Sequence, residues 1–222
     1  MKDIIILIPP SEGKIEQGNI SPLKDIKEPT LSLIKKIQSQ KENLEKFYGL
    51  KEKALNKAIK INQDIQQAKT CFALERYDGV VYKAIDLQSI KNKRDLGLIH
   101  IFSPLFGIIR SDQPIPNYKF KIDKLGALSL WKPINRVFLN NKFIIDLLPK
   151  AYDGAIEYQE GIKVEFILLK QGKKMPAGHQ GKHIKGRFIR WMIETKSYTP
   201  KEFNEFSEDG YKWKDNHFEK KV

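Results

Sequence analysis

The sequence is poor in cysteine, arginine, histidine and long apolar runs. A single cysteine among 222 residues, Cys71, cannot close an intrachain bridge, which excludes a disulfide scaffold and leads us to expect a reducing, cytoplasmic compartment. No stretch approaches the roughly 20 apolar residues of a membrane span. The run Ile4 to Ile8 stops at Pro9-Pro10, too short for a signal-peptide core, and Phe143 to Leu148 is interrupted by Asp146. Glycine and proline, at 14 and 11, are too few for a collagenous or low-complexity chain. There is no internal repeat and no polar linker, so a single domain over 1–222 is expected.

Positive charge is abundant instead. Six arginines and thirty-four lysines against 27 acidic residues leave a net charge of +13. Such a balance favours a polyanionic partner, because each lysine that neutralises a phosphate releases a condensed counterion. The lysine skew fits genomic base composition equally well.

Helices and strands are interleaved along the chain. Ile4 to Ile8 reads as a buried strand, followed by the loop Ser11-Glu12-Gly13-Lys14 at its carboxyl end. From 31 to 74 the apolar spacing is helical, with Gly49 placed as a left-handed cap that splits the pattern into a two-helix hairpin. Cys71 falls on the apolar side of its second helix, where a buried structural thiol is expected. Phe143 to Leu148 and Lys163 to Leu169 read as strands, and Lys185 to Lys196 as a helix. The expected class is α+β, a mixed α/β domain with the 31–74 hairpin within it.

Metal chemistry finds little support. The four histidines lack a cysteine framework or an HExxH motif, and Gly178 and Gly181 argue against a helix that would pair His179 with His183. No metal and no cofactor are expected. The glycine-rich basic stretch Lys173, Lys174, Lys182, Lys185, Arg187 and Arg190 lacks Walker spacing but suits a loop running into a helix that clamps phosphates. A second anion site is expected at the Gly49 turn, where Leu50 to Lys53 open a helix and Lys51 and Lys53 add charge. A third group, Ser11, Lys14, Asp78, Tyr82, Arg110, Asp112, Tyr118, Lys119 and Asp146, lies near the ends of apolar runs. Its members Ser11, Lys14, Arg110 and Asp146 are a candidate catalytic pocket in which a lysine acts as nucleophile or base.

Several blocks, taken in order, resemble the YaaA family of peroxide-stress proteins. They are Leu7 to Lys14 with its PPSEGK core, Arg76 to Tyr82, Phe102 to Asp112, Ile115 to Lys119, Leu130 to Pro133, Asp146-Leu147 with Ala151-Tyr152, and His179 to Arg187. Two positions depart from the family pattern: Lys119 stands where the family usually has Arg, and Leu148-Pro149 where it has an Arg-Ser pair. A bidentate grip on an anion is absent or weakened there. The segment between Ile15 and Pro29 and the region before Lys163 look trimmed.

The resemblance implies a mixed α and β fold particular to the family, with a basic cleft and a helix-hairpin-helix element that bind duplex, single-stranded or distorted DNA. It also implies a role in limiting peroxide damage, associated with lower free iron, and attaches no catalytic activity. The resulting expectation is a monomeric, cytoplasmic protein that grips DNA phosphates with little sequence preference and does not bind membranes. An enzyme acting on DNA or a modified base is the alternative, and a regulator of iron handling through another protein is a third reading.

Overall fold

Unbroken β-branched and leucine side chains suit a strand buried on both faces. In a computed structural model, which describes residues 3–91 and 93–222, the run after Asp3 becomes that strand, β1 (Asp3–Ile8). Ile5 to Ile8 are at most 2% exposed. β1 is the middle of a five-stranded sheet. On one side it pairs in parallel with β3 (Ile99–Ser103), Ile8 beside Ile101; on the other with β6 (Lys142–Asp146), Leu7 beside Asp146. The antiparallel β4 (Gly107–Arg110) and the parallel β7 (Glu160–Lys163) form the edges. The carboxyl ends of β1, β3 and β6 therefore open on one side of the sheet, with the chain departing from β1 toward β3 first and reaching β6 later. Ligand crevices in open α/β sheets form at such a place.

Three helices, α1 (Thr30–Gln38), α2 (Leu44–Tyr48) and α3 (Glu52–Gln63), fill most of the 31–74 segment. The left-handed cap falls at Gly49 as expected, with φ 66° and its N–H donated to Glu45 O. The two-helix expectation needs correcting on both sides of it. The first helix is broken between Ile37 and Leu44, where only polar residues intervene and Asn43 turns left-handed. The second ends at Gln63, and Cys71 lies in a strand, β2 (Cys71–Phe72), against Ile115 of β5 (Pro114–Ile115). Strand pairing there prevails over helical periodicity. The short helices α4 (Ala73–Arg76) and α5 (Val80–Ile85) follow, and α6 (Ala127–Leu139) precedes β6.

The run from Lys163 to Leu169 is divided between two sheets. Lys163 ends β7, whereas β8 (Glu165–Lys170) joins a four-stranded sheet with β9 (Lys173–Pro176), β10 (Lys212–Lys214) and β11 (His217–Lys221). This sheet packs on α7 (Gly178–Thr195) through Phe166, Phe188 and Phe218, the first and last stacked at 5.1 Å. The buried side chains of both sheets form a continuous apolar cluster. The result is a mixed α+β fold, and among the described residues no helix is long and apolar enough to cross a membrane.

α7 begins earlier than its sequence suggests. Gly178 and Gly181 lie inside it. Gly181 and Gly186 serve close packing, since a Cβ on Gly181 would sit 2.7 Å from that of Ala177 and one on Gly186 2.3 Å from Val81 O of α5, whereas Gly178, with open space around its Cα, has a left-handed φ of 53°. The basic segment expected as a phosphate-cradling loop is thus a hairpin strand followed by a packed helix.

Candidate functional site

The loop after β1 is pinned on all sides. Tyr82 donates its hydroxyl to Pro9 O at 2.7 Å, and Ser11 Oγ donates to Asp78 O at 3.1 Å. Asp78 N–H donates to Gly13 O, and Ile15 N–H to Arg76 O. Only glycine permits this approach, since a Cβ on Gly13 would lie 2.2 Å from Asp78 O and one on Gly79 2.3 Å from Ser11 Oγ. Beneath the loop the fully buried Arg76 donates to the carbonyls of Ile15 (2.6 Å), Gln17 (3.1 Å), Lys69 (3.1 Å) and Ile115 (3.2 Å). The guanidinium fork carries enough donors to serve all of these carbonyls at once.

This loop forms one wall of a cleft of about 340 Å³. Pro104 after β3 and Tyr152 after β6 contribute further walls, so the cleft lies at the carboxyl ends of the parallel strands. The opposite rim is Phe47 to Leu50 of the Gly49 turn and the segment Tyr118 to Asp123. Asn62 of α3, 1% exposed, ties these together: Oδ1 accepts Lys119 N–H at 2.8 Å, and Nδ2 donates to Lys119 O at 2.7 Å and to Tyr48 Oη at 2.9 Å.

Lys14 lies inside this cleft. Its Nζ donates to Ser11 O at 3.0 Å and sits 4.2 Å from the centroid of Tyr118 and 5.2 Å from that of Tyr77. Burial, aided by the nearby Lys119 and Arg76 charges and opposed by Glu12, brings its pKa down to about 7. Below the amine, Ser103 Oγ accepts the N–H groups of Leu105 and Phe106, so its proton goes to Tyr118 Oη at 2.8 Å; Tyr118 is in turn 2.8 Å from Tyr77 Oη. Burial holds Tyr77 up at about 12 and Tyr118 well above its ordinary value, so both remain protonated. At the mouth, Lys119 Nζ donates to Glu12 O at 3.0 Å, and Lys121 is 3.5 Å from the Glu12 carboxylate.

Of the candidate pocket residues, Ser11 and Lys14 meet in this cleft together with Tyr118, Lys119 and Gly49. Arg110 does not line it: it lies on the edge strand β4, bidentate to Asp112 at 2.9 and 2.8 Å. Asp146 is elsewhere too, buried at the end of β6, accepting Leu148 N–H and lying 3.6 Å from Lys163. Burial raises its pKa. Lys185 donates to Leu147 O, and burial lowers its pKa to about 8. Asp78 pairs with Lys83 at 3.3 Å.

Among the basic residues, Arg187 is engaged with Glu208 at 2.7 Å, and Arg190 with Glu194 at 2.7 Å and with Asp86 at 3.3 Å. Lys173, Lys174 and Lys182 are exposed on β9 and α7. Lys51 is the N-cap of α3 and makes no side-chain capping bond; Lys53 is exposed in its first turn. Among the described residues no group of three His, Cys, Asp or Glu is arranged to hold a metal. Sequence reading missed Asn62 and Tyr48, and gave no site role to Tyr77, Ser103 and Tyr152, which stand only within the blocks that carry the resemblance. Asn62 carried a signal, since it interrupts the apolar stripe of Ala58 and Ile65 with an amide.

A profile of the family described as peroxide stress protein YaaA matches residues 4–217. A UPF0246 protein of Corynebacterium glutamicum strain R is 30% identical over 208 residues, 84% of each chain. A UPF0246 protein of Streptomyces coelicolor is 28% identical over 218 residues, covering 86% of this chain and 84% of the relative. One from Finegoldia magna is 24% identical over 224 residues, 94% and 90% of the two chains.

Proposed function

The chain belongs to the YaaA family of peroxide stress proteins, and on that premise we propose that it binds DNA through backbone phosphates and limits peroxide- and iron-dependent damage to it. The observation that carries this reading is the group of lysines at the rim of the cleft, which outnumbers the carboxylates Glu12 and Asp123 there. Lys119 and Lys121 stand beside the Gly49 turn, and Lys51 and Lys53 open α3 on the far side of that turn. A helix start with unpaired N–H groups and lysines on both flanks suits phosphate oxygens. The net charge of +13 supplies long-range attraction to a polyanion.

Phosphate neutralisation also gives the peroxide role a physical route. A protein that covers phosphates displaces the cations condensed on them. Ferrous iron is such a cation, and where it sits on the backbone it reduces peroxide to a radical that attacks the nearest sugar. Displacing it moves that chemistry off the strand.

The test is fluorescence anisotropy with duplex, single-stranded and bubble DNA over a salt series. Binding that weakens steeply with salt, with little dependence on sequence, supports the reading. In the double variant Lys119→Ala with Lys121→Ala, the slope of log affinity against log salt should flatten by about 0.9 for each phosphate that the variant no longer neutralises. An unchanged slope removes this rim from the interface, and absence of binding at low salt overturns the reading.

A further inference from the structure

A lysine that only holds a phosphate works best as an exposed, fully charged ammonium. Lys14 is built differently. It is half-buried and stacked over Tyr118. Its hydrogen bond goes to a carbonyl, Ser11 O at 3.0 Å, and among the described residues no carboxylate lies within ion-pair distance of its Nζ. The charged and titratable groups around it are Glu12 of its own loop, Lys119 across the cleft, Arg76 beneath the loop, and the protonated Tyr77 and Tyr118. Positive neighbours outnumber the single negative one. With its pKa brought down to about 7, the amine is unprotonated in a share of the molecules near neutral pH. A neutral amine keeps a lone pair while donating a hydrogen to Ser11 O, and that is the state in which lysine attacks carbonyl carbon.

We propose that Lys14 is an imine-forming nucleophile whose target is the aldehyde of a ring-opened, base-free deoxyribose presented at the cleft by a DNA strand. This rests on the DNA-binding reading above. The carbonyl is the feature that the amine selects, and the rim lysines Lys119 and Lys121, the latter shared with Glu12, suit the phosphates flanking such a sugar. The cleft, at about 340 Å³, admits one ring-opened deoxyribose unit, whereas a nucleotide that keeps its base holds the same carbon closed in the glycosidic bond.

The step balances without a redox partner. Lys14 Nζ forms a bond to C1′ as the carbonyl π electrons move to oxygen, and one Nζ proton passes to that oxygen to give the carbinolamine. The hydroxyl then leaves as water with a proton from solvent, and the nitrogen lone pair completes a protonated imine. Hydrolysis reverses the sequence and restores the amine. Base-free sugars are a product of oxidative attack on DNA, so the chemistry belongs to the same stress as the family.

The experiment is borohydride trapping on the full chain. One duplex carries a base-free site with its aldehyde, a second carries the tetrahydrofuran analogue that has no carbonyl, and free deoxyribose 5-phosphate is the third probe. The expected result is binding to both duplexes, a covalent adduct with the aldehyde duplex alone, mass-spectrometric assignment of that adduct to Lys14, and its loss in Lys14→Arg, whose fold is checked by circular dichroism melting. Lys14→Met is the second variant should the larger guanidinium disturb the cleft. Binding to both duplexes without an adduct, or an adduct spread over other lysines and unaffected by either variant, overturns the inference and leaves the DNA reading standing. Binding to neither duplex overturns the strand as carrier; labelling of Lys14 by deoxyribose 5-phosphate then assigns the aldehyde to a free sugar phosphate, and no labelling removes the imine as well.

Discussion

Lys14 Nζ lies 4.2 Å from the centroid of the Tyr118 ring, and the hydroxyl of the same tyrosine, 2.8 Å from both Tyr77 Oη and Ser103 Oγ, faces the buried side. The ring and the hydroxyl thus do separable work. The ring face favours the ammonium electrostatically, while the hydroxyl fixes the ring. Tyr118→Phe removes two buried hydrogen bonds and is expected to cost about 1–3 kcal/mol in urea denaturation, with the Lys14 titration in place. Tyr118→Leu removes the ring and should lower the Lys14 pKa further, read by NMR of the isotopically labelled lysine.

Lys119 depresses the Lys14 pKa after burial itself, which is the larger cause. Lys119→Met removes a like charge, so the Lys14 midpoint should rise above its value of about 7. At pH 7 less amine is then neutral, and a lysine-selective acylating reagent should label Lys14 more slowly than in the unaltered protein. An unmoved pH–rate profile would remove Lys119 from the electrostatics of the cleft.

The same depressed pKa links folding to pH. Lys14 takes its proton off near pH 7 when folded but near the ordinary lysine value of 10.5 when unfolded, so between those limits the unfolded chain binds more protons. Stability attributable to this residue must rise with pH across that window. The difference in unfolding free energy between the unaltered protein and Lys14→Met should therefore grow in favour of the unaltered protein from pH 7 toward pH 10.

Arg76 is fully buried and satisfies carbonyls from three separate segments around Ile15, Lys69 and Ile115. Arg76→Met leaves those acceptors without donors and is expected to destabilise by roughly 3–5 kcal/mol. It should also loosen the Lys14 loop. Thermal and urea unfolding check the first, and faster amide exchange at Ile15 and Asp78 the second.

Gly186 lets α7 lie directly against α5. An added Cβ would meet Val81 O at 2.3 Å and the Ala84 Cβ at 2.6 Å. Gly186→Ala should cost roughly 1–3 kcal/mol, the usual range for overpacking, although alanine is the better helix former. A neutral or stabilising outcome would contradict a packing role for this glycine.

Much of the fold can be read from local pattern. Ile4 to Ile8 and Phe143 to Asp146 are strands because runs this short and β-branched suit a strand at the centre of a covered sheet, and Gly49 caps a helix because few other residues tolerate its φ of 66°. Local pattern fails where distant partners decide. Cys71 follows a helical rhythm yet pairs with Ile115, and Lys163 to Leu169 reads as one strand yet divides between two sheets. Glycines deceive in the opposite direction: Gly178 and Gly181 read as breaking a helix, but both lie in α7, where a Cβ on Gly181 would crowd that of Ala177. Ser11 and Lys14 are legible as polar residues at a strand's carboxyl end. Arg110 is kept away because β4 runs antiparallel and sets it beside His100 near the start of β3, and Asp146, although its strand adjoins β1, is engaged with Leu148 N–H and Lys163.

DNA held at the rim of the Lys14 cleft would shield that rim from solvent. Hydrogen–deuterium exchange on the unaltered protein, with and without a saturating bubble duplex at low salt, reads this without any substitution. Slower exchange is expected at Leu50 to Lys53 and at Lys119 to Asp123, reversed by added salt. Protection confined to Lys173 to Pro176 and the exposed face of α7, with the cleft rim unchanged, would contradict it.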